Sequence, residues 1–346
     1  MSKSIQLFRI VFFAFLLGVG IYTYQDYGVS ADEATQRAIG QTSLTYVNQV
    51  YPLPFIDRAP QIIGPAEAIF ETQRDRAYGV AFELPAEYLI QAFGIKDAQA
   101  FNFRHLLNFL LFYLAVYFFY RLLFLRYHNE GFSALGALLL VLSPRIYGDA
   151  FFNDKDLVFL SLFVIASYTL VRWLNKPNYR SLIAHAFVCA LAIDVRIMAI
   201  ILPALSFLVV PLWQKNQRQQ FKIIFLHIFI YAFLTVTFVI LFWPWLWLHP
   251  IDHFIEAFRR MAHFENIMEM RFLGKTIDGG NLPWTYVPVW LGVTTPILYI
   301  ILFFIGVTAI FHQTLKAGWK TLHQAGPFQD LIFLALFFAP LVAVIV

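Results

Sequence analysis

What most constrains this chain is a succession of long apolar runs divided by short basic stretches. Between Ile223 and Trp243 there is no Asp, Glu, Lys or Arg. A helix rises 1.5 Å per residue, so about 20 such residues cross the ~30 Å hydrocarbon layer of a bilayer. A soluble domain of 346 residues could not cover these runs: 60% of the side chains are hydrophobic and only 13% are charged. A soluble protein carries roughly 25% charged residues to coat its surface. The 25 basic and 21 acidic residues leave a net charge of +4, too mild to argue for a nucleic-acid partner. The single cysteine, Cys189, excludes an intramolecular disulfide and a cysteine-built metal site. These facts imply an all-α polytopic integral membrane protein embedded in a lipid bilayer.

The basic stretches orient the spans, because Lys and Arg gather in cytoplasmic loops. The first span is expected over Ile10–Tyr24, behind Lys3 and Arg9. No small-residue cleavage site follows it, so it reads as a retained anchor with a cytoplasmic N-terminus. A long outer loop then occupies 27–103. Within it Ala86, Leu89, Ile90 and Phe93 recur at helical spacing, predicting a short amphipathic helix on the membrane surface. The second span covers about Arg104–Leu125. Two apolar runs, 132–143 and 157–171, lie between basic flanks, as do the two halves of the 180–215 stretch broken at Asp194-Val195-Arg196. Each stretch must go out and come back, with its charged middle at the outer tip. A seventh span over Ile223–Trp243, a second large outer loop at 244–287, an eighth span over Val289–Phe311 and a ninth from Leu331 complete the count. About nine spans in one domain, 1–346, satisfy the charge pattern. Val346 ends the sequence inside an apolar run with no polar flank, which favours a fragment of a longer protein.

The ionisable residues near the outer boundary are few, and each costs about 2.5–3.5 kcal/mol at membrane depth, so they mark function. They are Asp26, Asp32 and Glu33 after the first span, Asp149, Asp154 and Asp156 in the second loop, and Asp194 in the third, with Arg145, Lys155 and Arg196 at the same level. Carboxylates able to act as bases beside cations able to hold a phosphate suggest chemistry on an anionic lipid headgroup. Asp32 has two readings, an N-cap of the helix opening at Glu33 or a catalytic carboxylate. Asp154-Lys155-Asp156 has the form of a divalent-metal D-x-D pair, or of a solvated loop whose lysine neutralises two acids. Arg196 reads either as an ion-pair partner of Asp194 or another outer acid, or as a phosphate contact. In the second outer loop His249 and His253 stand one helical turn apart at metal-ligand spacing, with His263, Glu256 and Glu265 nearby. An interfacial amphipathic helix with Phe254, Ala257, Phe258 and Met261 as its apolar stripe is the preferred reading there, flanked by aromatic belts formed by the preceding tryptophans and by Trp284, Tyr286 and Trp290.

The acidic pair after the first span, the long first outer loop and the segment Ser143-Pro144-Arg145-Ile146-Tyr147-Gly148-Asp149-Ala150-Phe151-Phe152-Asn153-Asp154-Lys155-Asp156 resemble bacterial relatives of the dolichyl-phosphate-mannose protein mannosyltransferases. These are GT-C type polyprenyl-phosphate-dependent glycosyltransferases. Trp243-Pro244-Trp245-Leu246-Trp247 and Gly280-Asn281-Leu282-Pro283-Trp284 are similar to that group's outer loop. The resemblance implies a GT-C-like helical bundle and an inverting transfer of a sugar from a polyprenyl-phosphate donor to an acceptor on protein, lipid or glycan. It implies Asp32 as general base with Glu33 beside it, and Lys155 and Arg196 as phosphate-binding cations; Arg145, at the same level, is expected to join them. Asn153, Lys155 and Asp156 match the loop signature, while position 154 carries Asp where the group commonly has Pro. It also places the protein in the bacterial inner membrane with its site on the periplasmic face.

Neither a divalent metal on Asp154 and Asp156 nor the acceptor's identity is decided by these residues. A transporter or flippase of a lipid-linked sugar or anion is the alternative from another class. It would favour polar residues at the membrane midplane, whereas here they gather at the outer tips.

Overall fold

A computed structural model of the chain describes residues 3–56, 68–71, 75–96, 98–262 and 269–345. The helices are α1 (Lys3–Thr23), α2 (Glu33–Val50), α3 (Ala68–Glu71), α4 (Glu83–Ala92), α5 (Ala98–Tyr127), α6 (Glu130–Val141), α7 (Pro144–Phe152), α8 (Asp156–Asn175), α9 (Tyr179–Val195), α10 (Ile201–Asn216), α11 (Phe221–Phe242) and α12 (Pro250–Ala262). A hairpin of β1 (Glu269–Phe272) and β2 (Lys275–Asp278) precedes α13 (Tyr286–Thr294), α14 (Ile297–Ala317) and α15 (Ala325–Ile345). The all-α expectation holds apart from that hairpin. Its two-residue turn, Leu273-Gly274, has φ of 47° and 78°, the positive pair that a tight hairpin requires.

A helix stands at each of the nine expected span positions. Among the described residues six of them are long and apolar enough to cross a membrane, or seven if the bent pair α6–α7 counts as one. The apolar part of α1, Leu7–Thr23, and α9 are shorter. Three boundaries differ from the sequence reading, two of them for local reasons. Pro144 cannot continue α6, so the polar stretch expected as a loop becomes α7, turned 66° from α6 with proline in its first turn. Pro296 likewise splits the eighth expected span into α13 and α14. The ninth helix starts earlier, at Ala325.

α8 is the centre of the bundle, packed between α5 and α9, with α10 and α11 closing the far side. Lipid tails are as apolar as leucine, so helices in a bilayer are held by close packing and interhelical hydrogen bonds. His185 of α9 supplies such bonds. Its ring nitrogens lie 2.9 Å from Thr169 Oγ1 of α8 and 2.8 Å from Ser206 Oγ of α10, and its ring stacks on Tyr231 of α11 at 5.4 Å. Trp243, Trp245 and Leu246 are buried in this core rather than forming a belt, while Trp284 and Trp290 stay exposed.

The segments joining helices at one end of the bundle, hereafter the loop face, are anchored on the start of α5. Arg104 has no exposed surface and pairs with both Glu83 of α4 and Asp154 before α8. Its neighbour His105 meets Glu33 of α2 at 2.7 Å and the Tyr24 carbonyl oxygen at 3.3 Å. α4 is further tied to α2 by Glu87, which accepts from Arg37 and Gln41 at 3.2 Å each. α4 therefore packs on α2, with Ala86 and Ile90 buried and Phe93 exposed. Burial pushes the Glu83 carboxyl up to about 8 even beside the guanidinium, and raises Asp154 as well. One cation thus joins two buried carboxyls, and α2, α4 and α8 converge on two consecutive residues.

Replacing Arg104 by Met should lower the unfolding free energy by about 3–5 kcal/mol, the usual result of leaving buried acids without their cation. Arg145→Met on the exposed start of α7 should leave stability unchanged. Thermal or denaturant unfolding of the two purified variants measures the contrast.

Candidate functional site

A pocket of about 740 Å³ opens at the loop face, walled by the start of α2, the 75–79 strap, the loop before α8 and the tip between α9 and α10. Its ionisable lining includes Asp32, Asp75, Lys155, Asp156 and Arg196. Sequence-distant residues meet here because the chain is pinned three times just behind the pocket wall.

Asp32 and Glu33 divide the first of these tasks. Glu33 is buried: one carboxylate oxygen meets His105 and the other accepts the Ser30 N–H at 2.5 Å. Asp32 occupies the N-cap position of α2, but its side chain makes no capping bond. Its carboxylate is exposed, lines the pocket, and has no hydrogen bond or ion pair among the described residues. The capping reading of its side chain is corrected, and Glu33 is a tether rather than a group facing the pocket.

Asp154 and Lys155 repeat the arrangement. Asp154 turns inward to Arg104, and Lys155 turns to the pocket. Asn153 fixes the turn, its Oδ1 accepting the Asp156 N–H at 2.8 Å at the start of α8. The Lys155 ammonium sits 3.2 Å from the ring centroid of Tyr78. It makes no hydrogen bond or ion pair among the described residues. Burial, with Arg196 next in weight, brings it down to about 8.

At the third tip Asp194 and Arg196 do not pair with each other. Arg196, in extended backbone with φ −145°, reaches Asp156. Asp194 is fully buried, and its Oδ1 accepts the Ala81 N–H at 2.7 Å, holding the strap.

Asp154 is given to Arg104 and Asp156 to Arg196, so the two acids of the D-x-D pair turn to different cations. Among the described residues no cluster of three His, Cys, Asp or Glu side chains could hold a metal ion. His249 and His253 face each other edge to face at 5.3 Å, but His253 Nδ1 is 2.7 Å from the Trp245 carbonyl oxygen and its ring stacks on Trp245. His263 and Glu265 lie outside the described residues. In α12 Phe254, Ala257 and Met261 face the protein, while Phe258 is exposed beside Ile251 and Ile255.

Arg145 is not part of the pocket. Its side chain is 74% exposed, 3.8 Å from Asp149, at the mouth of a separate apolar cleft of about 860 Å³ between α5–α7 and α13–α14. The turn of α7 that Pro144 imposes carries it there. Conversely, Asp75, Tyr78, Glu83, Arg104 and His105 escaped the sequence reading. Arg104 and His105 carried a signal, two ionisable side chains heading an apolar helix; Asp75 and Tyr78 carried none, lying in an irregular segment.

Residues 87–247 match the family model described as dolichyl-phosphate-mannose-protein mannosyltransferase. Searches of the curated proteins and of the solved structures gave no match. The matched region holds Arg104, His105, the 153–156 loop and Arg196, while Asp32, Glu33, Asp75 and Tyr78 precede it.

The two members of the first acidic pair should respond differently to substitution. Glu33→Ala strands His105 and should lower the melting temperature clearly, whereas Asp32→Asn at an exposed, unbonded position should leave it unchanged. Melting curves of the two variants in one detergent decide the assignment.

Proposed function

On the family match, which supports membership of the GT-C type glycosyltransferases, we propose that the protein moves a sugar from a polyprenyl-phosphate donor to an acceptor at the outer face of a bacterial inner membrane. The N-terminus is then cytoplasmic, the loop face periplasmic, and the nine helices at the expected positions are the spans. One observation carries the reading: the Asp32 carboxylate and the Lys155 ammonium, neither with an ion-pair partner among the described residues, face the same pocket at the end of an apolar bundle.

The chemistry asks for that pair. An acceptor hydroxyl or amine attacks the anomeric carbon on the face opposite the phosphate, inverting the configuration. As its bond to carbon forms it must lose a proton, which Asp32 accepts as general base. The bond from the anomeric carbon to the phosphate oxygen breaks, and the electron pair leaves with the polyprenyl phosphate. Lys155 stabilises the charge gained by that group, and Arg196 adds to the positive potential while held by Asp156. Asn153 keeps the lysine loop in register, and Glu33 and Asp154 serve as tethers. Arg145 has no part in the transfer, because it opens onto the other cleft.

Asp32→Asn should abolish transfer from a polyprenyl-phosphate sugar, read by mass spectrometry of the acceptor, while donor binding and membrane insertion stay intact. Near-normal transfer would remove Asp32 from the base role. Donor affinity should also follow the lysine charge. The ammonium present below about 8 is lost as pH rises through that value, so KM for the donor should climb on the alkaline side with kcat changing less.

A further inference from the structure

Lys155 is held by an aromatic ring rather than by an acid. Three carboxylates, Asp156, Asp32 and Asp75, lie within electrostatic reach of it, yet among the described residues its ammonium rests on the Tyr78 ring at 3.2 Å. A lysine carries four flexible methylenes and a compact charge, so without a partner its ammonium wanders and takes water. A carboxylate partner would hold it but also neutralise it and compete with an incoming phosphate. The face of an aromatic ring attracts the cation through its quadrupole and leaves the positive charge in place.

The ring is where it is because the strap beneath it has little freedom. Tyr78 N–H donates to the Asp75 carbonyl at 3.0 Å, closing a turn. Asp194 accepts the Ala81 N–H on the other side. Between them Gly79 lies so close to Asp194 that a Cβ would fall 2.1 Å from its carbonyl oxygen and 2.2 Å from its Oδ1. Only a residue without a side chain allows this approach.

We propose that Tyr78 is a positioning residue of the site: carried on a strap pinned by Asp194, its ring fixes the Lys155 ammonium, still charged, where the donor phosphate meets it. The proposal rests on the reading of Lys155 as the phosphate-binding cation. It assigns no role to the Tyr78 hydroxyl, and so expects phenylalanine to serve as well as tyrosine.

The test uses the full chain in lipid nanodiscs, with a polyprenyl phosphate and the matching polyprenol as probes. Tyr78→Leu should weaken binding of the phosphate about tenfold, or about 1.4 kcal/mol, and leave the polyprenol within twofold. Tyr78→Phe should match the unmodified protein. On a Lys155→Gln background Tyr78→Leu should add no further loss, as expected for two residues acting through one contact. Gly79→Ala, by displacing the strap, should reproduce the Tyr78→Leu pattern. In the same samples, acylation of Lys155 by an amine-reactive ester, read by peptide mass spectrometry above the amine's value of about 8, should be several-fold faster in Tyr78→Leu than in Tyr78→Phe. Unchanged phosphate binding in Tyr78→Leu, equal losses for both probes, or unchanged Lys155 acylation would each overturn the proposal. If Lys155→Gln itself binds the phosphate normally, the phosphate reading fails, and the acylation comparison alone decides whether Tyr78 holds the lysine.

Discussion

The loop face depends on a buried guanidinium. Arg104 stands at the start of α5 with no exposed surface, between Glu83 and Asp154, and beside His105, which holds Glu33. Taking a cation and two carboxyls out of water is expensive, and such a group is retained only where the geometry satisfies it. Here the return is positional. Segments far apart in sequence, the start of α2, α4 and the loop before α8, end on two adjacent residues of one rigid helix. A hydrophobic contact could bring those segments together, but it would not set which way each one faces. A charged hydrogen bond does, because its partners have direction.

The same device recurs three times around the pocket. Glu33 is tethered and Asp32 faces inward; Asp154 is tethered and Lys155 faces inward; Asp194 is tethered to the strap and Arg196 faces inward. In each case an ionisable residue buried one or two positions away fixes the backbone that presents the pocket-facing one. A side chain on a free loop would spend its interaction energy on being ordered, whereas here that entropy is settled when the protein folds. This explains why so many acids crowd one membrane boundary when few of them stand free in the pocket.

How much of this was legible in the sequence follows from what each feature rests on. The helices at the nine span positions rest on apolar runs, a local signal, and could be read directly. Breaks at Pro144 and Pro296 are equally local, but the outcome, a short helix rather than a loop, depends on how the flanking turns are accommodated. That Asp32, Lys155 and Arg196 share one pocket was foreseen through topology and family resemblance. The resemblance points to Asp32, Lys155 and Arg196 as the members that face it, but not to Glu33 and Asp154 as tethers, since those roles arise only through His105 and Arg104 on another helix. Arg145 shows the converse. It lies in the same signature segment as Lys155, and proximity in sequence suggested a shared role, yet α7 intervenes and carries it to a different cleft.

Position 154 brings these threads together. The family resemblance makes Asp unusual there, and beside Asp156 it suggested a metal. Burial against Arg104 gives it a different logic. Arg104 faces two buried carboxyls, Glu83 and Asp154, and burial raises both of them. Asp154, the residue next to Lys155, turns its carboxyl to that guanidinium. With Asp154 turned to Arg104 and Lys155 turned to the Tyr78 ring, one dipeptide both ties the loop to the bundle and presents a cation at the pocket.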